Sequence, residues 1–182
     1  MINKGDLLIS TPKSLGDYYF NRSIIILTEV RNNEVVGFII NKELNYTLSD
    51  LDNKVMVKGI KIFSGGPVNQ DNLYFIHKHP NLINNSINFF NNLHWGGDFK
   101  KSIEMINKMK IDNSSIKFFS GYSGWTYDQL LDEVRNGSWI VAKNKTNYLF
   151  KKETKKMWGE KMKKMDEKFR IWSNAPENPK DN

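Results

Sequence analysis

The chain has 182 residues, 39% of them hydrophobic, enough for one domain to bury a core without covalent staples. It contains no cysteine, which excludes disulfides, thiolate metal sites and thiol catalysis. The net charge of +7 is uneven: residues 143–182 hold 12 Lys/Arg against 6 Asp/Glu and residues 1–142 hold 15 against 14, so the body is nearly neutral and the tail is basic.

In chain order, "RSIIILTEV" (22–30) and "EVVGFIINK" (34–42) are β-branched apolar runs separated by "RNN", which predicts a buried hairpin. "LSDLD" (48–52) reads as one helical turn. "GIKIFSGGPV" (59–68) and "NLYFIHK" (72–78) read as two strands joined through a corner at Gly65, Gly66 and Pro67. Asp98 is placed to cap a helix running to about Lys110, with Ile103 and Ile106 on its inner face. "SIKFFSGY" (115–122) is the next strand. Thr126 and Gln129 then form a T-x-x-Q capping box for a helix that buries Leu130, Leu131 and Val134 and ends at Asn136-Gly137. "SWIVAK" (138–143) is a last strand. From Lys151 onward Trp158, Met162, Met165, Phe169 and Trp172 recur at spacings of four and three, one apolar stripe on an amphipathic helix. That stripe reads as docked on the body with its lysines in solvent; a membrane-surface helix is the other reading.

Strands come first and helices later, without β-α-β alternation, so the expected class is α+β. The expectation is a single domain over residues 1–172 with a mixed, curled sheet flanked by helices, and a disordered tail at 173–182. No apolar run approaches the ~20 residues of a membrane-spanning helix, and "MINKGDLLIS" shows no signal-peptide pattern, so the expected setting is the cytoplasm.

Three stretches invite a chemical reading. "GYSGW" places Ser123 between glycines, ahead of a helix, as a hydrolase elbow would. Trp125 stands where G-x-S-x-G needs its second glycine, however, and all three histidines precede the serine. His77 and His79 lie two apart, and with His94 they could hold a metal, but no carboxylate at ligand spacing supports this, and no metal or cofactor is expected. "SGGPV" and "WGGD" (Gly96, Gly97) lack a basic residue for a phosphate cradle, and Asp98 would repel the anion. Only four of the 27 basic residues are arginine, and lysine lacks the fork that reads base edges, so nucleic acid is a disfavoured partner.

Jointly, "GDLLISTP" (5–12), "DYYFNRSIIILTE" (17–29), "GFIINK" (37–42), "FSGGPV" (63–68), "LYFIH" (73–77), "WGGDF" (95–99), "GYSGWTYDQLLDE" (121–133) and "SWIV" (138–141) resemble the AlgH/YqgE-like family of bacterial proteins. The resemblance implies an α/β sheet of unusual topology and a cytosolic protein without an established activity, commonly labelled a transcriptional regulator. The family's "GY-x-GW" pattern takes alanine as well as serine in the middle, which implies that Ser123 is not a nucleophile. The chain departs from the family where Val30 follows Glu29 and where Glu43 follows Asn41-Lys42.

The matched polar residues Arg22, Asn41, Asp98, Tyr122 and Gln129, with Trp95 and Trp125 beside Gly121 and Gly124, either line a concave site or brace the sheet. The expectation for the first case is that Arg22, Asn41, Asp98 and Tyr122 converge at one end of the sheet on a small anionic or peptide ligand. A non-catalytic binding or regulatory module, with an unidentified protein or small molecule as partner, is therefore the leading reading. Direct DNA binding through the basic C-terminal helix, or a hydrolase-type enzyme, are the alternatives.

Overall fold

A computed structural model describes residues 1–14, 16–144 and 148–165. The N-terminal half of the sheet is β1 (Leu7–Ser10), β2 (Ile24–Arg31) and β3 (Glu34–Ile39), antiparallel in that order, so the predicted hairpin forms. Its apolar runs are continuous because both faces are covered. Alternation sends Leu7, Ile9, Ile24, Ile26 and Phe38 to one core cluster, and Leu8, Ile25, Leu27 and Ile39 to another. Ile24 through Leu27 are fully buried, and each such side chain contributes about 1.5–3 kcal/mol over its exposed state.

The centre of the fold is β9 (Ile116–Trp125), a strand that changes partners midway. Residues Phe118–Ser120 run parallel to β5 (Lys61–Ser64) and antiparallel to β6 (Val68–His77); Ser123–Trp125 run antiparallel to β3. Between them Gly121 adopts φ +68°, and a Cβ there would lie 2.7 Å from the carbonyl oxygens of Gly66 and Val68. Only glycine fits that bend. The strand expected to end at Tyr122 therefore continues through a bend at "GYSG", and the joint to the next helix comes after Trp125.

The remaining strands extend outward. β4 (Glu43–Thr47) borders β5, β8 (Leu93–Trp95) and β7 (Ile87–Phe90) follow β6, and β10 (Trp139–Ala142) follows β1. The order β10-β1-β2-β3-β9-β6-β8-β7 leaves β10 and β7 as the ends of the main path, and β4, paired only with β5, is the edge of a branch from β9. The sheet is mixed through one parallel pairing, as expected, but where a curled sheet was expected it is neither closed nor strongly curled. The change of pairing is concentrated at Gly121, and the faces are covered by helices instead of by the sheet closing on itself.

The one-turn helix α1 (Leu48–Leu51) and α2 (Phe99–Asn107) contribute Leu48, Ile103 and Ile106 to a cluster with Ile62, Phe75 and Phe118. α3 (Tyr127–Arg135) puts Leu130 against Trp125 and Trp139, with Leu131 and Val134 partly buried beside them, and Gly137 ends it at φ +74°. The C-terminal helix differs from expectation. It does not start at Lys151: α4 spans Met157–Lys163, after a 3-10 turn at Tyr148–Phe150. The reason lies in Thr154, which is buried and donates its hydroxyl to Glu43 Oε1 at 2.7 Å, holding the intervening segment in a non-helical path. Met157, Trp158 and Met162 are buried in the first cluster, so this part of the helix docks on the body, whereas Met165 is exposed. Phe169, Trp172 and the tail expected at 173–182 lie outside the described residues.

Candidate functional site

Asn41 follows β3 and ties the ends of two strands together. Its Oδ1 accepts from the Ile24 backbone N–H at 2.8 Å, and its Nδ2 donates to the Arg22 carbonyl at 2.9 Å. These two bonds hold Arg22 in the left-handed region, φ +53°, which a non-glycine residue enters only with such support. The Arg22 guanidinium then lies 5.2 Å from the ring centroid of Trp158 on α4, within cation–π range. Trp158 is fixed in turn by its indole N–H, which donates to the Ser10 carbonyl at 2.8 Å.

Between the Arg22–Asn41 corner and α4 lies a cleft of about 780 Å³. Among the described residues its lining carries five basic side chains (Arg22, Lys42, Lys155, Lys156 and Lys163) and two acids, Glu43 and Glu160. Such a wall favours an anion.

The other sequence-predicted residues do not line this cleft. Asp98 caps α2, accepting from Lys101 N–H at 3.0 Å. Tyr122 packs edge-on against Tyr74, ring centroids 5.6 Å apart. Gln129 donates its amide N–H to Thr126 Oγ1, giving half of the predicted capping box, but its side chain turns to Glu133 Oε1. Trp125 donates its indole N–H to Glu133 Oε2 at 2.9 Å, and Trp139 donates to the same oxygen at 2.7 Å. Trp95 lies half-buried beside Phe38, and its indole nitrogen has no hydrogen-bond partner among the described residues. Gly96 and Gly97 border a shallow hollow with Tyr74 and Phe99. Gly65, Gly66 and Pro67 serve the β5–β6 corner, where a Cβ on Gly66 would collide with Tyr122 and Ser123; Gly124 lies in β9 opposite Val36.

Ser123 is fully buried, and its hydroxyl donates to the Gly65 carbonyl at 3.1 Å. His77 is likewise engaged, whereas His79 Nε2 and His94 Nδ1 have no hydrogen-bond partner among the described residues. His77 Nδ1 accepts from the His79 backbone N–H at 3.0 Å, so Nε2 carries the proton and donates to the Gly96 carbonyl at 3.2 Å. Both ring nitrogens are occupied. Burial holds the imidazole down at about 4, with the nearby His94 and His79 acting in the same direction and the Gly96 bond opposing. Among the described residues no group of three His, Asp or Glu side chains is arranged to hold a metal ion.

Sequence reasoning missed two residues. Glu133, the shared acceptor of two indoles, gives no signal beyond its helical spacing from Gln129. Lys117 does leave a trace. It is buried in β9 on the same face as Phe119, and its ammonium donates to the carbonyls of Ile40 at 2.9 Å and Leu149 at 2.8 Å. A lysine inside the apolar run "IKFF" was the visible sign.

An α+β domain built on a ten-stranded open sheet, with a cationic cleft beside its C-terminal helix, is the class of protein these features define. The model of the AlgH-like family (DUF179) matches residues 7–170, and the chain belongs to that family. It is 34% identical to a UPF0301 protein of Cytophaga hutchinsonii, over 99% of both chains. It is 35% identical to a UPF0301 protein of Bacteroides fragilis, over 98% of this chain and 91% of that one. Two solved structures share the fold. A protein of Corynebacterium diphtheriae superimposes with TM-score 0.77 at 20% identity, covering 96% of this chain and 93% of that one. The AlgH protein of Pseudomonas aeruginosa gives 0.72 at 18%, covering 95% and 94%. No described helix is long and apolar enough to cross a membrane.

Proposed function

We propose that this protein is a non-catalytic binding module of the cytoplasm that takes a small anionic ligand in the cleft between the Arg22–Asn41 corner and α4. The observation that carries the reading is the cleft wall itself, where the described residues set five cations beside two acids around an Arg22 backbone held in place by Asn41. Binding without chemistry is supported by the buried Ser123 hydroxyl bonded to a carbonyl and by a His77 whose nitrogens are both engaged. Ligand binding that stiffens the docking of α4 would give the protein a regulatory output, because Trp158 belongs both to the cleft and to the core.

The test is a thermal-shift series with inorganic phosphate, AMP and citrate on the full chain and on its Arg22→Ala variant. A ligand at ~100 times its Kd adds about 2.7 kcal/mol, or roughly 5–10 °C for a domain of this size. The shift is expected in the parent chain and reduced in the variant. Equal responses of both proteins to every anion would refute the reading.

A further inference from the structure

A second cavity, of about 420 Å³, is lined by β5, the start of β9 and the segment that leads to α4. Phe63, Ile116 and Phe150 give it an apolar wall, and Lys61, Lys151 and Lys152 stand at its rim. Lys117 lies within it. The Nζ of this lysine is held by two backbone carbonyls and sits 3.8 Å from the centroid of the Phe63 ring. All three partners are neutral. They orient an ammonium but leave its charge uncompensated, and taking an ion out of water on such terms costs several kcal/mol. Burial accordingly pushes Lys117 down to about 7, with Glu43 pulling the other way. Among the described residues Glu43 is the one acid in the cavity lining, and it is shared: it accepts from Thr154 and stands 3.9 Å from Lys61.

We propose that this cavity binds a small carboxylate with an apolar body, the body lying on Phe63 and Ile116 and the head group supplying the counter-charge that Lys117 needs. Charge complementarity selects the sign of the ligand, and the apolar wall selects its amphipathic character. The site is distinct from the Arg22 cleft, with which it shares only Glu43 among the described lining residues. It carries a thermodynamic signature of its own. A bound carboxylate stabilises the ammonium form, so binding must draw a proton from solution whenever the free amine is neutral.

Octanoate titrated into the full chain by calorimetry, in two buffers of different ionisation enthalpy, reads this directly. With Lys117 near 7, uptake is expected to be roughly 0.7 proton per ligand at about pH 7.5, falling to roughly 0.1 at about pH 6. Lys117→Met should weaken octanoate about tenfold or more and abolish the linked proton. Octanamide, with the same body and no charge, should bind far more weakly than octanoate. Lys152→Glu at the rim should weaken octanoate several-fold, and with the proton linkage of the parent chain it decides the matter if the methionine variant does not fold. Arg22→Ala should leave octanoate binding unchanged. Absence of octanoate binding at millimolar concentration, binding without proton uptake, or equal affinity in the parent chain and Lys152→Glu would each overturn the proposal.

Discussion

Glu133 is the point at which three elements meet, and removing its carboxylate should be costly far out of proportion to its partial exposure. Its Oε2 accepts from Trp125 at the end of β9 and from Trp139 at the start of β10, while Glu133 itself sits on α3. The two tryptophans are nearly fully buried and meet edge to face at 6.0 Å, with Phe20 stacked on the first. Alanine at 133 would leave two indole N–H groups without their acceptor, each costing about 1–3 kcal/mol when water cannot replace it. Water can partly reach the half-buried carboxylate, and alanine returns a few tenths in helix propensity. A net loss of about 2–4 kcal/mol remains, equivalent to roughly 6–12 °C in Tm for a chain of this length. Glutamine retains one carbonyl oxygen able to accept from both indoles, so Glu133→Gln should lose only about 1 kcal/mol, the charge-assisted part of the bonds. Scanning calorimetry gives both values, and near-UV circular dichroism reports the tryptophan packing. If Glu133→Ala stays within about 0.5 kcal/mol of the parent chain, or glutamine is as damaging as alanine, the shared-acceptor account is wrong.

Two further expectations concern the same scaffold. Gly121→Ala places a Cβ against two backbone carbonyls at φ +68° and should cost well over 2 kcal/mol, whereas Gly59→Ala, at φ +79° with open space around it, should cost only about 1; equal losses in denaturant titrations would show that crowding at the β9 bend is unimportant. For His77 the folded value lies below the unfolded one, so the unfolded chain binds the extra proton first, and stability is lost as pH falls from about 6.5 toward about 4. The loss should reach about 3 kcal/mol and should shrink in His77→Gln, which guanidinium titrations of both proteins across that range would measure; parallel pH profiles would exclude His77 as the source.

The parts of the fold that were legible in the sequence are those whose information is local. The "IIILT" and "VVGFII" runs specify strands by β-branching, and Asp98 and Thr126 accept from the backbone N–H three residues on, as their positions before apolar-periodic segments require. The strands that were not legible depend on neighbours. β4 is half-exposed and polar, "ELNYT", and exists because β5 offers it an edge. β7 and β8 are four and three residues long and are held in place through β6. At "SGYSGW" the glycines read as punctuation, because a glycine that ends a strand and one that bends it look alike until the partner strands are known. The site was legible in the same partial way. Arg22 and Asn41 meet because β2 and β3 pair, which the hairpin implied, but nothing in the sequence separated Asp98 and Tyr122 from them or revealed that Trp158 would close the cleft from 136 positions beyond Arg22.

The two cavities are joined through the chain that follows β3. Ile40 donates its N–H to Ile24 and accepts from Lys117; Asn41, next to it, holds Arg22; Glu43, two residues further, borders both cavities and anchors Thr154. A rigid corner of this kind gives the two sites a common acid and a common wall. Anions in both would draw on Glu43's lysine neighbours together, a like-charge penalty that opposes double occupancy. Each anion would also fix the segment carrying Thr154, so that the second meets a wall already ordered by the first. The first effect weakens with added salt and the second does not. Ionic strength therefore separates them: coupling that turns from unfavourable toward favourable as salt rises is what this corner predicts, and by linkage it must be equal whichever ligand is added first.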